Sequence, residues 1–77
     1  MHWELLKLRK INNISQQEMA ALLKINPTTY SMKENGKSDF KLDEIYTIAK
    51  FFNKRIEEIF LPTSIRNTDN LKGVSNN

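Results

Sequence analysis

Seventy-seven residues with twelve Lys and Arg against nine Asp and Glu make one small domain of net charge +3, a mild lean toward nucleic acid. The chain has no cysteine, which excludes disulfides and thiolate metal sites and fits a reducing cytoplasm. No run approaches the roughly 18 apolar residues of a membrane span, and MHWELLKLRK lacks a signal peptide's apolar stretch, so a soluble, cytoplasmic protein without membrane association is expected.

The first predicted helix is WELLKLRKI, residues 3–11, with Leu5, Leu8 and Ile11 at helical spacing and Asn12-Asn13 as its stop. Trp3 is expected to cover the open end of the core and His2 to lie on the surface. ISQQEM then starts a second helix that runs to about Leu23. Ser15 and Glu18 form an S-x-x-E capping box, and Ile14 and Met19 supply the hydrophobic staple around it. After only Lys24-Ile25, Asn26 restarts the chain as an N-cap with Pro27 in the first turn, and Ile25 and Tyr30 make a second staple. Two short helices so closely joined form a helix-turn-helix arrangement. Asn35-Gly36 closes the third helix with a left-handed stop.

Beyond a polar loop around Phe40, a fourth helix spans about Leu42 to Phe52, with Leu42, Ile45, Ile48, Ala49 and Phe52 on one side. Tyr30, Tyr46, Phe51 and Phe52 are expected in the core. RIEEIF, Arg55 to Phe60, makes a short fifth helix that Pro62 ends. The pairs Asp43-Glu44 and Glu57-Glu58 read as first-turn charges favoured by the helix dipole. Residues 63–77, rich in Asn, Thr, Ser and Asp, read as a polar, mobile tail, leaving 1–62 as the folded domain.

The third helix is unusual in carrying almost no apolar stripe. At about 100° per residue, Tyr30 and Glu34 share one face with Lys33 at its margin. Thr28, Ser31, Met32 and Asn35 share the opposite face. Short polar side chains and one flexible apolar one allow close approach to another polymer, and a major groove about 12 Å wide admits one helix. Thr28 and Met32 suit apolar contact with thymine methyls.

In order and spacing, LLKLRK, ISQQEMAALLKINPTTYSMKENGK and LDEIYTIAKFFNKRIEEIF resemble the Cro/cI-like helix-turn-helix regulators of phages and bacteria, the xenobiotic-response-element type, over residues 4–61. The resemblance implies an all-α, compact five-helix Cro/cI repressor-like domain whose third helix enters the major groove. It puts Pro27, Thr28 and Met32, beside Ser31, where the family reads bases. It puts Ser15, Gln16, Thr29, Asn35 and Lys37 where the family touches phosphates, and Gln17 and Lys41 join that set at the amide end of the second helix and in the basic loop. Arg9 and Glu34 fall where many members hold a buried ion pair.

Three positions depart from the family pattern. Lys24 stands at the turn position usually held by Gly, with left-handed strain of about 1 kcal/mol, so a distorted turn is expected. Lys33 occupies a usually apolar core position, where it either lifts its amine out of the core or meets a phosphate. Lys41 replaces the Ser or Thr cap of the fourth helix and offers no acceptor.

There is no nucleophile–base pair, no metal-ligand spacing and no phosphate-cradling Gly loop, so neither an enzyme nor a cofactor nor a metal is expected. The resemblance implies a sequence-specific DNA-binding transcriptional regulator, a repressor of a phage, mobile element or bacterium; from the chain's length, no effector domain is expected. It would bind a two-fold symmetric double-stranded operator as a homodimer joined through Arg55, Phe60, Leu61, Pro62 and Ile65. The alternative is an antitoxin-type interaction module whose main partner is a toxin protein.

Overall fold

Local chemistry sets where each helix begins and ends. In the computed structural model, which describes residues 1–60, α1 spans Trp3–Ile11, α2 Gln16–Leu23, α3 Pro27–Glu34, α4 Leu42–Phe52 and α5 Ile56–Ile59. These bounds match the sequence expectation, apart from α5, where Arg55 and Phe60 flank a single helical turn. Ser15 Oγ accepts the Glu18 amide at 3.0 Å while Glu18 Oε1 accepts the Ser15 amide at 2.8 Å, which completes the capping box. Asn26 Oδ1 accepts the Thr28 amide at 2.8 Å and starts α3. Lys41 has no acceptor for α4, but Glu44 Oε1 reaches back to the Lys41 amide at 2.8 Å. Glu58 does the same for Arg55 at 2.7 Å.

Four helices end in one way. Asn13, Lys24, Gly36 and Asn53 take φ of 55°, 59°, 84° and 54°. At each, the next amide reaches back five residues and the residue's own amide reaches back three, as in Ile25 to Ala20 at 2.9 Å and Lys24 to Ala21 at 3.1 Å. This paired closure satisfies carbonyls the helix end would leave orphaned. The expected distortion at Lys24 is therefore absent: with ψ 43° it sits in the ordinary left-handed well, and the closing bonds are intact.

The core gathers Leu5, Met19, Ala20, Tyr30, Phe40, Ile48, Ala49, Ile59 and Phe60, with both staple residues Ile14 and Ile25 packed against it. Phe40 organises its aromatic end. Its ring meets Tyr30 at 6.0 Å, Phe60 at 5.5 Å and His2 at 5.3 Å, all edge to face. His2, expected on the surface, thus takes the place expected of Trp3, which is 65% exposed. The cause is the entry of the chain: the His2 amide donates to the Glu34 carbonyl at 2.9 Å, turning residue 2 inward and residue 3 outward. Ile11, on that outward side of α1, is also exposed.

Phe60 corrects the expected dimer surface. It is 2% exposed and belongs to the core, because the single turn of α5 brings its ring onto His2 and Phe40. Arg55 is exposed at the start of α5, whereas Leu61, Pro62, Ile65 and the 63–77 tail lie outside the described residues. On α4 the inward arc is rotated toward Glu44, so Leu42 and Tyr46 are exposed rather than core. Phe51 is also exposed and packs edge to face on half-buried Phe52 at 5.1 Å.

Glu44 is inward because Lys33 is. Lys33 Nζ donates to Glu44 Oε1 at 2.7 Å, and both side chains are buried. Lys33 therefore does neither of the things expected of it: its amine stays inside, paired across α3 and α4. Among the described residues no helix is long and apolar enough to cross a membrane.

A buried pair is far more costly to break than to replace whole. Lys33→Met and Glu44→Leu should each lower unfolding free energy by roughly 3–5 kcal/mol in urea titrations. The double variant should return to within about 1 kcal/mol of wild type, the deficit reflecting the lost Lys41 cap. Additive losses in the double variant would show that the two charges do not act as a pair.

Candidate nucleic-acid interface

The helix-turn-helix presents two groups to solvent on neighbouring elements. The first is the start of α2. The capping box uses the amides of Ser15 and Glu18, so those of Gln16 and Gln17 remain for an outside acceptor at the positive end of the helix. They border an open cleft of about 560 Å³ that Arg9, Lys10 and Asn13 line from the end of α1. The second is the outer face of α3. Pro27, Thr28, Thr29 and Asn35 are exposed, Met32 is 40% exposed, and Ser31 is half-buried. Asn35 Nδ2 lies 3.5 Å from Ser31 Oγ, a long contact that leaves both side chains adaptable. Lys37 and Lys41 are exposed in the loop that follows.

What holds this face in place is the carboxylate of Glu34, 1% exposed, on the inner side of α3. Arg9 grips it with both arms, Nε to Oε2 at 2.9 Å and Nη2 to Oε1 at 3.1 Å. The Tyr30 hydroxyl donates to Oε2 at 2.9 Å and Gln16 Nε2 to Oε1 at 2.8 Å. Arg9 Nη1 also donates to the Ile14 carbonyl at 3.0 Å, at the entrance to α2. One acid thus joins α1, α2 and α3. Arg9 and Glu34 meet as the resemblance implies. Gln16 is expected at a phosphate; its side-chain Nε2 donates inward to Glu34, which leaves its backbone N–H for an outside acceptor.

The electrostatics follow from the donors. Burial pushes the Glu34 carboxyl up, but hydrogen bonds from Arg9, Gln16 and Tyr30 outweigh it and hold the group below the ordinary carboxylate value. Its hydrogen bond to Glu34 raises Arg9 above the usual guanidinium value against the opposing effect of burial. Burial, reinforced by the adjacent Glu34 charge, pushes the Tyr30 hydroxyl far up, so it remains a donor. His2 is lowered by burial and by the neighbouring terminal ammonium. Its Nδ1 is buried without a partner.

The sequence reading missed three participants: the Tyr30 hydroxyl, Gln16 as a bridge, and the Lys33–Glu44 pair. The last had a signal, since a Lys at a core position requires a buried acid close by in space.

The comparisons with known proteins agree with this architecture. A family model described as helix-turn-helix matches residues 5–59, the span from Leu5 through α5. The chain belongs to the Cro/C1-type helix-turn-helix family, whose members are DNA-binding transcription regulators. It is similar to an uncharacterized HTH-type transcriptional regulator of Methanocaldococcus jannaschii, 38% identical over 53 residues that cover 69% of this chain and 80% of that protein. No solved structure matches significantly.

Glu34→Gln strands the Arg9 charge and should cost roughly 3–5 kcal/mol, enough to unfold much of a domain this small. Acid should do the same by degrees. Both His2 and Glu34 are lowered in the folded protein, so as pH falls the unfolded chain takes up each proton first. Stability should fall below about pH 6.5 as His2 charges in the unfolded chain, and again below about pH 4.3 as Glu34 does. Urea midpoints measured from pH 8 to pH 3 test this, and a flat profile would contradict the geometry.

Proposed function

We propose that this helix-turn-helix regulator is a repressor that reads double-stranded DNA in the major groove with α3, in the cytoplasm of a bacterium or in a phage or mobile-element system. The observation that carries the reading is the outer face of α3, four exposed residues on a helix whose inner side is tied down by Glu34. A helix so firmly oriented, with a face that serves no packing role, is suited to presentation rather than to the core. In this reading Pro27, Thr28, Ser31 and Met32 meet base edges. Thr29, Asn35, Lys37 and Lys41 meet phosphates, as do Ser15 and the amides of Gln16 and Gln17 at the dipole end of α2.

A single helix reads few base pairs, so a two-fold dimer on half-sites about 34 Å apart completes the proposal. With Phe60 in the core, the described part of its surface is Arg55, and the rest lies beyond residue 60. A second reading, a module whose main partner is a toxin protein, draws support from exposed Trp3 and Tyr46, at 65% and 58%. Co-purification of a stoichiometric protein partner would favour it.

Selection of bound duplexes from a random pool tests the main reading. A two-fold motif with half-sites one turn apart is expected, together with a solution mass twice that of the monomer at micromolar concentration. Affinity should fall with salt at a log–log slope of about −0.9 per phosphate neutralised. Salt-independent binding, or a pool with no enriched motif, would overturn it.

A further inference from the structure

Resting on the reading of α3 as the base-contacting helix, we infer that the chain recognises its DNA through the C5-methyl groups of thymine, with Thr28 and Met32 as the residues that sense them. The inference comes from an inventory of what the interface has left to offer. Guanine is commonly gripped by a bidentate Arg or Lys. Among the described residues the two arginines are Arg9, whose three donor nitrogens are engaged by Glu34 and the Ile14 carbonyl, and Arg55 at the start of α5. The lysine of α3 itself, Lys33, is buried on Glu44. Lys24 and Lys37 stand outside the helix, at its two flanking turns.

Adenine is commonly gripped by Asn or Gln, and those groups are either held within the domain or assigned to phosphates. Gln16 Nε2 is held by Glu34 and Asn26 Oδ1 caps the Thr28 amide, while exposed Gln17 and Asn35 are read as phosphate contacts. The outer arc of α3 is left with the ring of Pro27, the hydroxyls and methyls of Thr28 and Thr29, the hydroxyl of Ser31 and the thioether of Met32. Hydroxyls serve donors and acceptors alike and discriminate little. The apolar groups remain, and of the four bases only thymine places an apolar group in the major groove. A half-exposed, flexible Met side chain gains by covering such a methyl, since each loses apolar surface to water.

The chemistry of the methyl is separable from that of the base. Deoxyuridine keeps every hydrogen-bonding group of thymidine and lacks only the C5 methyl. In cytosine the corresponding carbon carries hydrogen, and 5-methylcytosine restores the methyl without restoring the thymine edge. The full-length chain is therefore titrated against the duplex it selects from a random pool. Thymines are replaced by deoxyuridine one symmetric pair at a time.

At the positions facing Thr28 and Met32, removal of a methyl should weaken binding about fourfold per half-site, the effect of one buried methyl-sized group. Where cytosine replaces one of these thymines, 5-methylation should recover part of the loss. Met32→Ala should abolish the deoxyuridine penalty at its own position, while Met32→Leu retains it. Both variants are on the surface and should leave the salt slope unchanged. A selected motif with no deoxyuridine penalty anywhere overturns the methyl inference and leaves base reading by α3 standing. A penalty unaltered by Thr28→Ala and Met32→Ala overturns the assignment to these residues. A pool that yields no motif overturns base reading itself.

Discussion

Three helices of this small domain are oriented by one carboxylate. Glu34 receives four hydrogen bonds, two from Arg9 of α1, one from Gln16 of α2 and one from Tyr30 of its own helix. A buried carboxylate without such partners would be strongly disfavoured, and it is the full set of donors that makes this one tolerable. Directional bonds also do what apolar contact does poorly: they fix rotation about a helix axis. α3 has eight residues, and Tyr30 is its one large apolar residue in the core, so packing alone would leave the helix free to roll. The Arg9 fork resists that roll because both of its arms must stay in plane with the carboxylate.

The Lys33–Glu44 pair adds a second tether on the same helix, toward α4. It has a consequence for the exposed face that neither residue could produce alone. A lysine of α3 that reached solvent would add a point charge beside the proposed groove face. Held by Glu44, it contributes none, and the charges near that face stand at the flanking turns and in the loop after α3. Charge is thus separated from shape across the helix-turn-helix, with exposed lysines at the periphery and neutral side chains on the arc itself. Such a division suits phosphate contacts that set position and base contacts that set sequence.

The helix boundaries were legible because their causes are local. Ser15, Asn26 and Gly36 act on amides and carbonyls within a few residues, so the bounds of α1 to α4 followed from spacing and capping chemistry. Beyond the length of α5 and the undistorted turn at Lys24, the departures are in facing. Leu42 and Tyr46 turned outward because Glu44, read as a first-turn charge, is an inward residue once Lys33 lies opposite it. Trp3 and His2 exchanged places because the Glu34 carbonyl takes the His2 amide, a contact between segments far apart in the chain. Phe60 was assigned to a dimer surface because its aromatic partners, His2 and Phe40, also come from distant segments. Of the candidate site, the exposed arc of α3 could be drawn from a wheel. The inward commitment of Gln16 could not, since it depends on where Glu34 lies in space.

The two buried pairs also bear on how such a domain tolerates change at its working surface. The residues of the arc, Pro27, Thr28, Thr29 and Met32, are exposed, whereas Tyr30, Lys33 and Glu34, which orient the helix, are buried. Substitutions on the arc therefore leave the anchors intact, and their effects on stability should stay within the few tenths of a kcal/mol usual for surface positions. Substitutions of the anchors alter stability and orientation together, because Glu34 and Lys33 bond to other helices and Tyr30 bonds to Glu34. The same eight residues thus contain a set that can vary with the sequence to be read and a set that cannot vary without loosening the domain. Separating the two by burial, rather than by position along the chain, lets one short helix serve both needs.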